Sequence, residues 1–127
     1  MSFTIFIVDD DAKVLRSIER LLQKDTCVLK TFLSSVEALT AMETEQPRLV
    51  ISDRKMPHMD GTDFLRRVKE RYPDSICILT SGHPISETDK NALEKGEIDH
   101  FFPKPLDIDL FLSEIRRLVN EYIGPEQ

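Results

Sequence analysis

Nowhere in the 127 residues does an apolar run approach the ~20 that a membrane-spanning helix requires. The opening MSFTIFIVDDD lacks both the basic start and the long apolar stretch of a secretory signal, so a cytoplasmic location without a membrane partner is expected. Cysteine is scarce: Cys27 and Cys77 sit singly in the apolar runs TCVLKTFL and SICILTS, where buried thiols are expected and no metal-site spacing exists. His58, His83 and His100 are scattered, so no His/Cys cluster competes for a metal. Positive charge is also in deficit, with 17 Lys and Arg against 23 Asp and Glu, a net charge of −6 at pH 7. That balance argues against a domain-wide electrostatic footprint for nucleic acid, and no direct nucleic-acid contact is expected. Two local basic groups, Arg66, Arg67, Lys69 and Arg71, then Arg116 and Arg117, have the spacing of solvated helix faces. Internal repeats, low-complexity segments and linkers are absent, and residues 1–127 read as a single domain.

What is present is an alternation of short β-rich runs with helix-period segments, the pattern of an α/β fold with a parallel sheet. Strands are expected at about Thr4 to Val8, Cys27 to Phe32, Arg48 to Ser52 ending at Asp53, Ile76 to Thr80, and Asp99 to Phe102. The first helix carries the stripe Val14, Leu15, Ile18, Leu21 and Leu22. Ser34 and Glu37 have the form of a capping box before Val36, Leu39 and Met42, and Pro47 closes that unit. Phe64, Leu65 and Val68 mark the third helix. Ser86 opens a weaker fourth helix whose only large apolar residue is Leu93 and whose end is marked by Gly96. Asp107 is expected to cap a last helix carrying Leu110, Phe111, Ile115, Leu118, Val119 and Tyr122, stopped by Gly124 and Pro125.

The first strand ends in three consecutive aspartates, Asp9, Asp10 and Asp11. One would serve as a helix cap. Three repel each other, at a cost on the order of a few kcal/mol for a pair at ~4 Å and an effective dielectric of ~20. In an open parallel sheet, ligands gather beyond the carboxyl ends of the strands. Asp9 and Asp10 end the first strand there, Asp53 the third and Ser81 the fourth, and Lys104 follows the fifth. Clustered carboxylates form a hard oxygen cage suited to magnesium rather than zinc. The lysine is a cation that stays useful once a phosphoryl group arrives, and the serine hydroxyl can donate to a phosphoryl oxygen. The implied chemistry is phosphoryl transfer onto a carboxylate.

Val8-Asp9-Asp10, then Asp53-Arg54-Lys55-Met56-Pro57-His58-Met59-Asp60-Gly61, then Ser81, then Lys104-Pro105 together resemble the response-regulator receiver domains of two-component signalling, over essentially the whole chain. The resemblance implies a flavodoxin-like, doubly wound (βα)5 fold with a five-stranded parallel sheet in the order 2-1-3-4-5. It implies that Asp53 is the phosphoacceptor, taking its phosphoryl group from a histidine kinase or a histidine phosphotransfer protein. Asp10, Asp53 and the backbone carbonyl of Lys55 would bind Mg2+ (or Mn2+), with Asp9 in support. Lys104 would pair with Asp53 before transfer and with the phosphoryl group afterwards. Asp11 falls one place past the acidic pair and reads as a helix cap. Pro57 and Gly61 would shape the loop after Asp53.

LTSG offers two hydroxyls, Thr80 and Ser81. Ser81 keeps the family's separation from Asp53 and makes Gly82 the small residue that follows, leaving Thr80 to end the strand. The segment GEIDHFFPKPLD has one residue more between glycine and lysine than the commoner family pattern. In that respect it is more similar to receivers joined to cyclic-dinucleotide phosphodiesterase domains. Phe101 falls at the family's switch-aromatic position, and strand alternation turns only one of Phe101 and Phe102 toward the side of the fourth and fifth helices. Phosphorylation would draw Ser81 toward the phosphoryl group and Phe101 inward, remodelling the face made by the fourth helix, fifth strand and fifth helix for an output domain or downstream protein. Lys55 and His83 would tune the lifetime of the aspartyl phosphate. Pro105 stands where the family has a cis peptide. So read, the chain is a regulatory switch that catalyses only its own phosphorylation and dephosphorylation. An unphosphorylated receiver-like scaffold is opposed by the complete residue set. An aspartyl-nucleophile phosphohydrolase would want a second carboxylate two residues after Asp53, where Lys55 stands.

Overall fold

A computed structural model describes residues 3–23, 25 and 27–123. Five strands alternate with five helices: β1 Thr4–Val8, α1 Ala12–Leu22, β2 Val28–Phe32, α2 Ser35–Ala41, β3 Leu49–Asp53, α3 Gly61–Arg71, β4 Ile76–Ser81, α4 Glu87–Lys95, β5 His100–Pro103 and α5 Ile108–Ile123. All strand pairings are parallel and the order is β2-β1-β3-β4-β5, the flavodoxin-like arrangement expected. The stops expected at Gly124 and Pro125 lie outside the described residues.

Strand alternation sorts the core into two layers. Ile5, Ile7, Leu49, Ile51 and Ile78 face α1 and α5, packing on Leu15, Ile18, Phe111 and Ile115. Phe6, Val8, Val50, Cys77 and Leu79 face α2, α3 and α4, packing on Ala38, Met42, Phe64, Leu65 and Ala92. Every residue of β1 is therefore buried, which is why that strand reads as an unbroken apolar run rather than an alternating one. The edge strand β2 is more open and carries Lys30, which pairs with Glu45.

Helix starts follow local side-chain chemistry. Asp11 accepts from the N–H of Lys13, Ser34 from Glu37, Asp60 from Asp63, Ser86 from Asp89 and Asp107 from Leu110. Each such cap contributes about 1 kcal/mol. Gly96 ends α4 at φ +77°, a left-handed conformation that glycine adopts without a Cβ penalty.

Several expectations shift. Strands β2, β3 and β5 start one residue later than expected, and β4 runs on to Ser81. Val36 is 55 % exposed and Leu110 is 62 % exposed. In α2 the inward face is Ser35, Ala38 and Met42, and Ser35 Oγ donates to the Met59 carbonyl at 3.3 Å, which turns Val36 outward. In α5 the buried stripe begins at Phe111, so Leu110 lies about 100° away from it. The two phenylalanines of β5 divide between the layers. Phe101 packs in the α2–α4 layer, and Phe102 meets Phe111 edge-on at 5.5 Å in the α5 layer. Helices α4 and α5 thus lie on opposite faces and share no single side for the switch aromatic.

Cys77 is buried and its thiol is pushed up to about 12, chiefly by burial. Half-buried Cys27 is raised by burial and then by Asp25, so both thiols stay protonated and inert at neutral pH. The basic groups form peripheral ion pairs, Arg66 with Asp63 and Glu97, Lys69 with Asp99, Arg116 with Asp25, and Arg117 with Glu114 and Glu121. Among the described residues, no helix is long and apolar enough to cross a membrane.

Candidate functional site

Parallel pairing brings the carboxyl ends of β1, β3 and β4 level with each other. Val8 stands opposite Ser52, Asp53 opposite Thr80 and Ser81 opposite Pro103. The ladder then continues past the strands. The N–H of Asp9 donates to the Phe32 carbonyl (3.1 Å), that of Arg54 to Thr80 (2.8 Å) and that of Lys104 to Ser81 (2.7 Å). Backbone bonding therefore fixes the stems of Asp9, Asp53 and Lys104 on one edge before their side chains interact.

Asp9 is the most enclosed of the three aspartates, 3 % exposed. Its Oδ1 accepts from the Asp11 N–H at 2.9 Å and its Oδ2 from Lys104 Nζ at 2.9 Å. The same ammonium lies 3.2 Å from Asp53 Oδ1. Asp10 is exposed, and Asp11 is spent as the α1 cap. One ligand atom from each of Asp9, Asp10 and Asp53 falls within 4.8 Å of the others. Three carboxylates thus cluster where one ammonium pairs with two of them. Burial raises the Asp53 pKa, Asp9 raises it further, and Lys104 and the Arg54 N–H only partly offset this. Burial pulls Lys104 down, but the carboxylates of Asp9 and Asp53 outweigh it and the ammonium is held above its ordinary value.

The cluster suits a divalent cation. Its donors are hard oxygens, and the negative charge that Lys104 leaves unmet is what Mg2+ or Mn2+ would balance. Asp9 already has both oxygens in hydrogen bonds, which fits its expected supporting place beside Asp10 and Asp53.

The loop after Asp53 is sterically determined. A Cβ on Gly61 would stand 2.1 Å from the Asp53 carbonyl oxygen, so only glycine allows α3 to start this close to the phosphoacceptor candidate. The Gly61 N–H donates to the Arg54 carbonyl at 2.7 Å. His58 sits at φ +73°, the only non-glycine with positive φ among the described residues. At Gly82, a Cβ would meet nothing within 4 Å, so its smallness is not demanded by its surroundings.

Ser81 is buried, and its Oγ accepts from the His83 N–H at 3.0 Å. Thr80 instead donates to the Ser52 carbonyl at 3.4 Å, which commits that hydroxyl to β3. Phe101 is half-buried, next in the strand after His100 and two residues before Pro103. The side chains of Lys55 and His83 are exposed on the loops that follow Asp53 and Ser81. The Lys104–Pro105 peptide is cis.

The model of the response regulator receiver domain matches residues 5–116. The chain belongs to that family. The receiver is 34 % identical over 123 residues to the DNA-binding transcriptional regulator NtrC of Proteus hauseri, covering 97 % of this chain and 26 % of that protein. It thus spans about a quarter of the length of the curated relatives it matches. Among solved structures, the signal receiver domain of an HD domain-containing protein from Pseudomonas fluorescens superimposes with a TM-score of 0.87 at 28 % identity, covering 94 % of this chain and 95 % of that one. A BeF3-activated receiver domain of DrrB, from Thermotoga maritima, gives 0.82 at 28 % identity, covering 94 % and 98 %.

Asp89 escaped the sequence reading. It is wholly buried on α4, accepting from Arg54 Nε and Thr62 Oγ1, each at 2.7 Å. Burial alone would raise its pKa, but the bonds from Thr62 and Arg54 outweigh that and hold it below the usual carboxylate range. The one available signal was its place three residues before Ala92, on the face that Ala92 turns inward.

Proposed function

We propose that this receiver domain, acting as one unit, is a phosphoryl-accepting switch with Asp53 as the acceptor. The reading rests on one observation: three carboxylates cluster at the strand ends and a single ammonium pairs with two of them, leaving unmet negative charge at a partly buried site. An Asp53 carboxylate oxygen attacks the phosphorus of a phosphohistidine on a histidine kinase or histidine phosphotransfer protein. The P–N bond breaks, its electron pair returns to the imidazole, and an acyl phosphate forms on Asp53. Asp10, Asp53 and the Lys55 backbone carbonyl would hold Mg2+ or Mn2+, with Asp9 in support. Such a cation offsets the like charges of carboxylate and phosphoryl oxygens.

Lys104 stands ready to exchange its 3.2 Å contact with the Asp53 carboxylate for one with a phosphoryl oxygen. Ser81 gives up acceptance from the His83 N–H as its hydroxyl turns to donate to the phosphoryl group. The space it leaves lets Phe101 move inward, and the surface of α4, β5 and α5 changes for an output domain or downstream protein. Water ends the signal by hydrolysing the acyl phosphate, with exposed Lys55 and His83 setting its lifetime. The curated relatives include DNA-binding regulators, and a structural neighbour belongs to an HD domain-containing protein, so receivers like this one serve different outputs.

Incubation with magnesium and a small phosphodonor, followed by intact mass, tests the reading. Wild type gains one phosphoryl group and Asp53→Ala gains none. An unmodified wild type overturns it and leaves an unphosphorylated scaffold, and equal gain in the variant overturns Asp53 as the acceptor.

A further inference from the structure

Arg54 directly follows Asp53 and is anchored in three directions. Its N–H donates to Thr80 on β4 (2.8 Å), its carbonyl accepts from Gly61 at the start of α3 (2.7 Å), and its Nε donates to Asp89 on α4 (2.7 Å). Asp89 is 0 % exposed and both its oxygens are engaged, the second by Thr62 of α3. Its own N–H donates to Ser86, the residue that caps α4. The helix these bonds hold has little else to hold it: its buried residues are Asp89 and Ala92, with Leu93 half-buried in the layer that also takes Phe101.

We infer that Arg54, Asp89 and Thr62 form a latch that fixes α4 relative to the phosphoacceptor loop, making Arg54 and Asp89 positioning residues that set how readily modification of Asp53 remodels the α4 surface. The inference rests on the phosphoacceptor reading. A charged, directional pair whose carboxylate is fully buried has one good geometry, whereas the apolar contacts of Ala92 and Leu93 are not directional. Movement of α4 must therefore break or re-form the 2.7 Å bonds to Asp89. Phe101 and Leu93 pack against the same core layer, so a latch that fixes α4 opposes repacking of that layer when Phe101 turns inward. By linkage, whatever favours the arrangement with α4 displaced binds more tightly when the latch is cut.

The test uses the full chain, with beryllofluoride plus magnesium as the probe of Asp53. Affinity is read from the Ser81 amide resonance, and α4 mobility from hydrogen exchange of the Glu87–Lys95 amides in the unmodified protein. Asp89→Asn is expected to speed α4 exchange at least tenfold and tighten beryllofluoride binding three- to tenfold. Thr62→Val keeps the side-chain shape and removes one of the two bonds, so it changes both readouts about twofold in the same direction. It decides the matter where Asp89→Asn fails to fold. Faster exchange with unchanged affinity makes the pair merely structural and overturns the latch. Unchanged values for both readouts, in variants beside a wild type that binds the probe, overturn it while leaving the phosphoacceptor reading intact. A wild type that binds no better than Asp53→Ala removes the phosphoacceptor reading, and the coupling falls with it.

Discussion

Asp53 and Arg54 are neighbours in the chain, yet they belong to two carboxylate clusters built on opposite terms. Around Asp53, three carboxylates cluster with one ammonium that pairs with only two of them, and burial with repulsion from Asp9 raises the Asp53 pKa. Around Asp89, one carboxylate has a guanidinium and a hydroxyl, and its pKa is lowered although it is the more deeply buried. On the function proposed, unmet charge at an accessible edge marks the place where a cation and a phosphoryl group would complete the site. Fully met charge in the interior marks a joint between elements.

The widest separation of the two clusters comes from neutralising each carboxylate. Asp89→Asn leaves Arg54 facing a neutral amide and is expected to cost about 2–4 kcal/mol in urea unfolding at pH 7. Because the folded pKa of Asp89 is lowered, its contribution is complete above the unfolded value of about 3.9 and is lost as pH falls through the folded value. The cost should therefore vanish in acid. Asp53→Asn has the opposite sign. Its raised folded pKa means that the ionised carboxylate opposes folding, so the variant should gain about 1 kcal/mol at pH 7, in line with stability sacrificed at functional sites. That gain is full above the folded value and disappears once pH drops below the unfolded one. A loss for Asp53→Asn at neutral pH would erase the contrast.

Glycine replacements sharpen the comparison at the next level. Gly61→Ala drives a methyl into the Asp53 carbonyl at 2.1 Å and is expected to cost about 2 kcal/mol and to slow phosphorylation, the overpacking range. Gly82→Ala, with open space around it, should stay within about 0.5 kcal/mol of wild type in the same urea measurement. Between these two lies a local gain: His58→Gly relieves a left-handed non-glycine residue and should raise stability by about 1 kcal/mol at most, read from the same midpoint.

Much of the Asp53 edge was legible because its signals are local. Each strand end, cap and loop residue is signalled by its immediate neighbours, and the rule that ligands gather at carboxyl ends joins signals as far apart as Asp9 and Lys104. Asp9, Asp10, Asp53, Ser81 and Lys104 all fell at that edge as expected. The joint at Asp89 was not legible, since its partners lie 35 and 27 residues away and an aspartate in a weakly apolar helix reads as solvated. Val36 and Leu110 misled for a related reason. Apolar type alone does not fix the inward face of a helix when Ser35, or a stripe starting at Phe111, meets the sheet instead. The sides taken by Phe101 and Phe102 depended on knowing that α4 and α5 flank different faces of the sheet.

The central claim is that the charge deficit at the strand ends is completed by a cation and a phosphoryl group on Asp53. Peptide mass mapping after incubation with a small phosphodonor, with magnesium or with a chelator, tests it most directly. The phosphoryl group is expected on the peptide containing Asp53 and only in the presence of the metal. A label on another residue, or equal labelling with the chelator, would contradict the account.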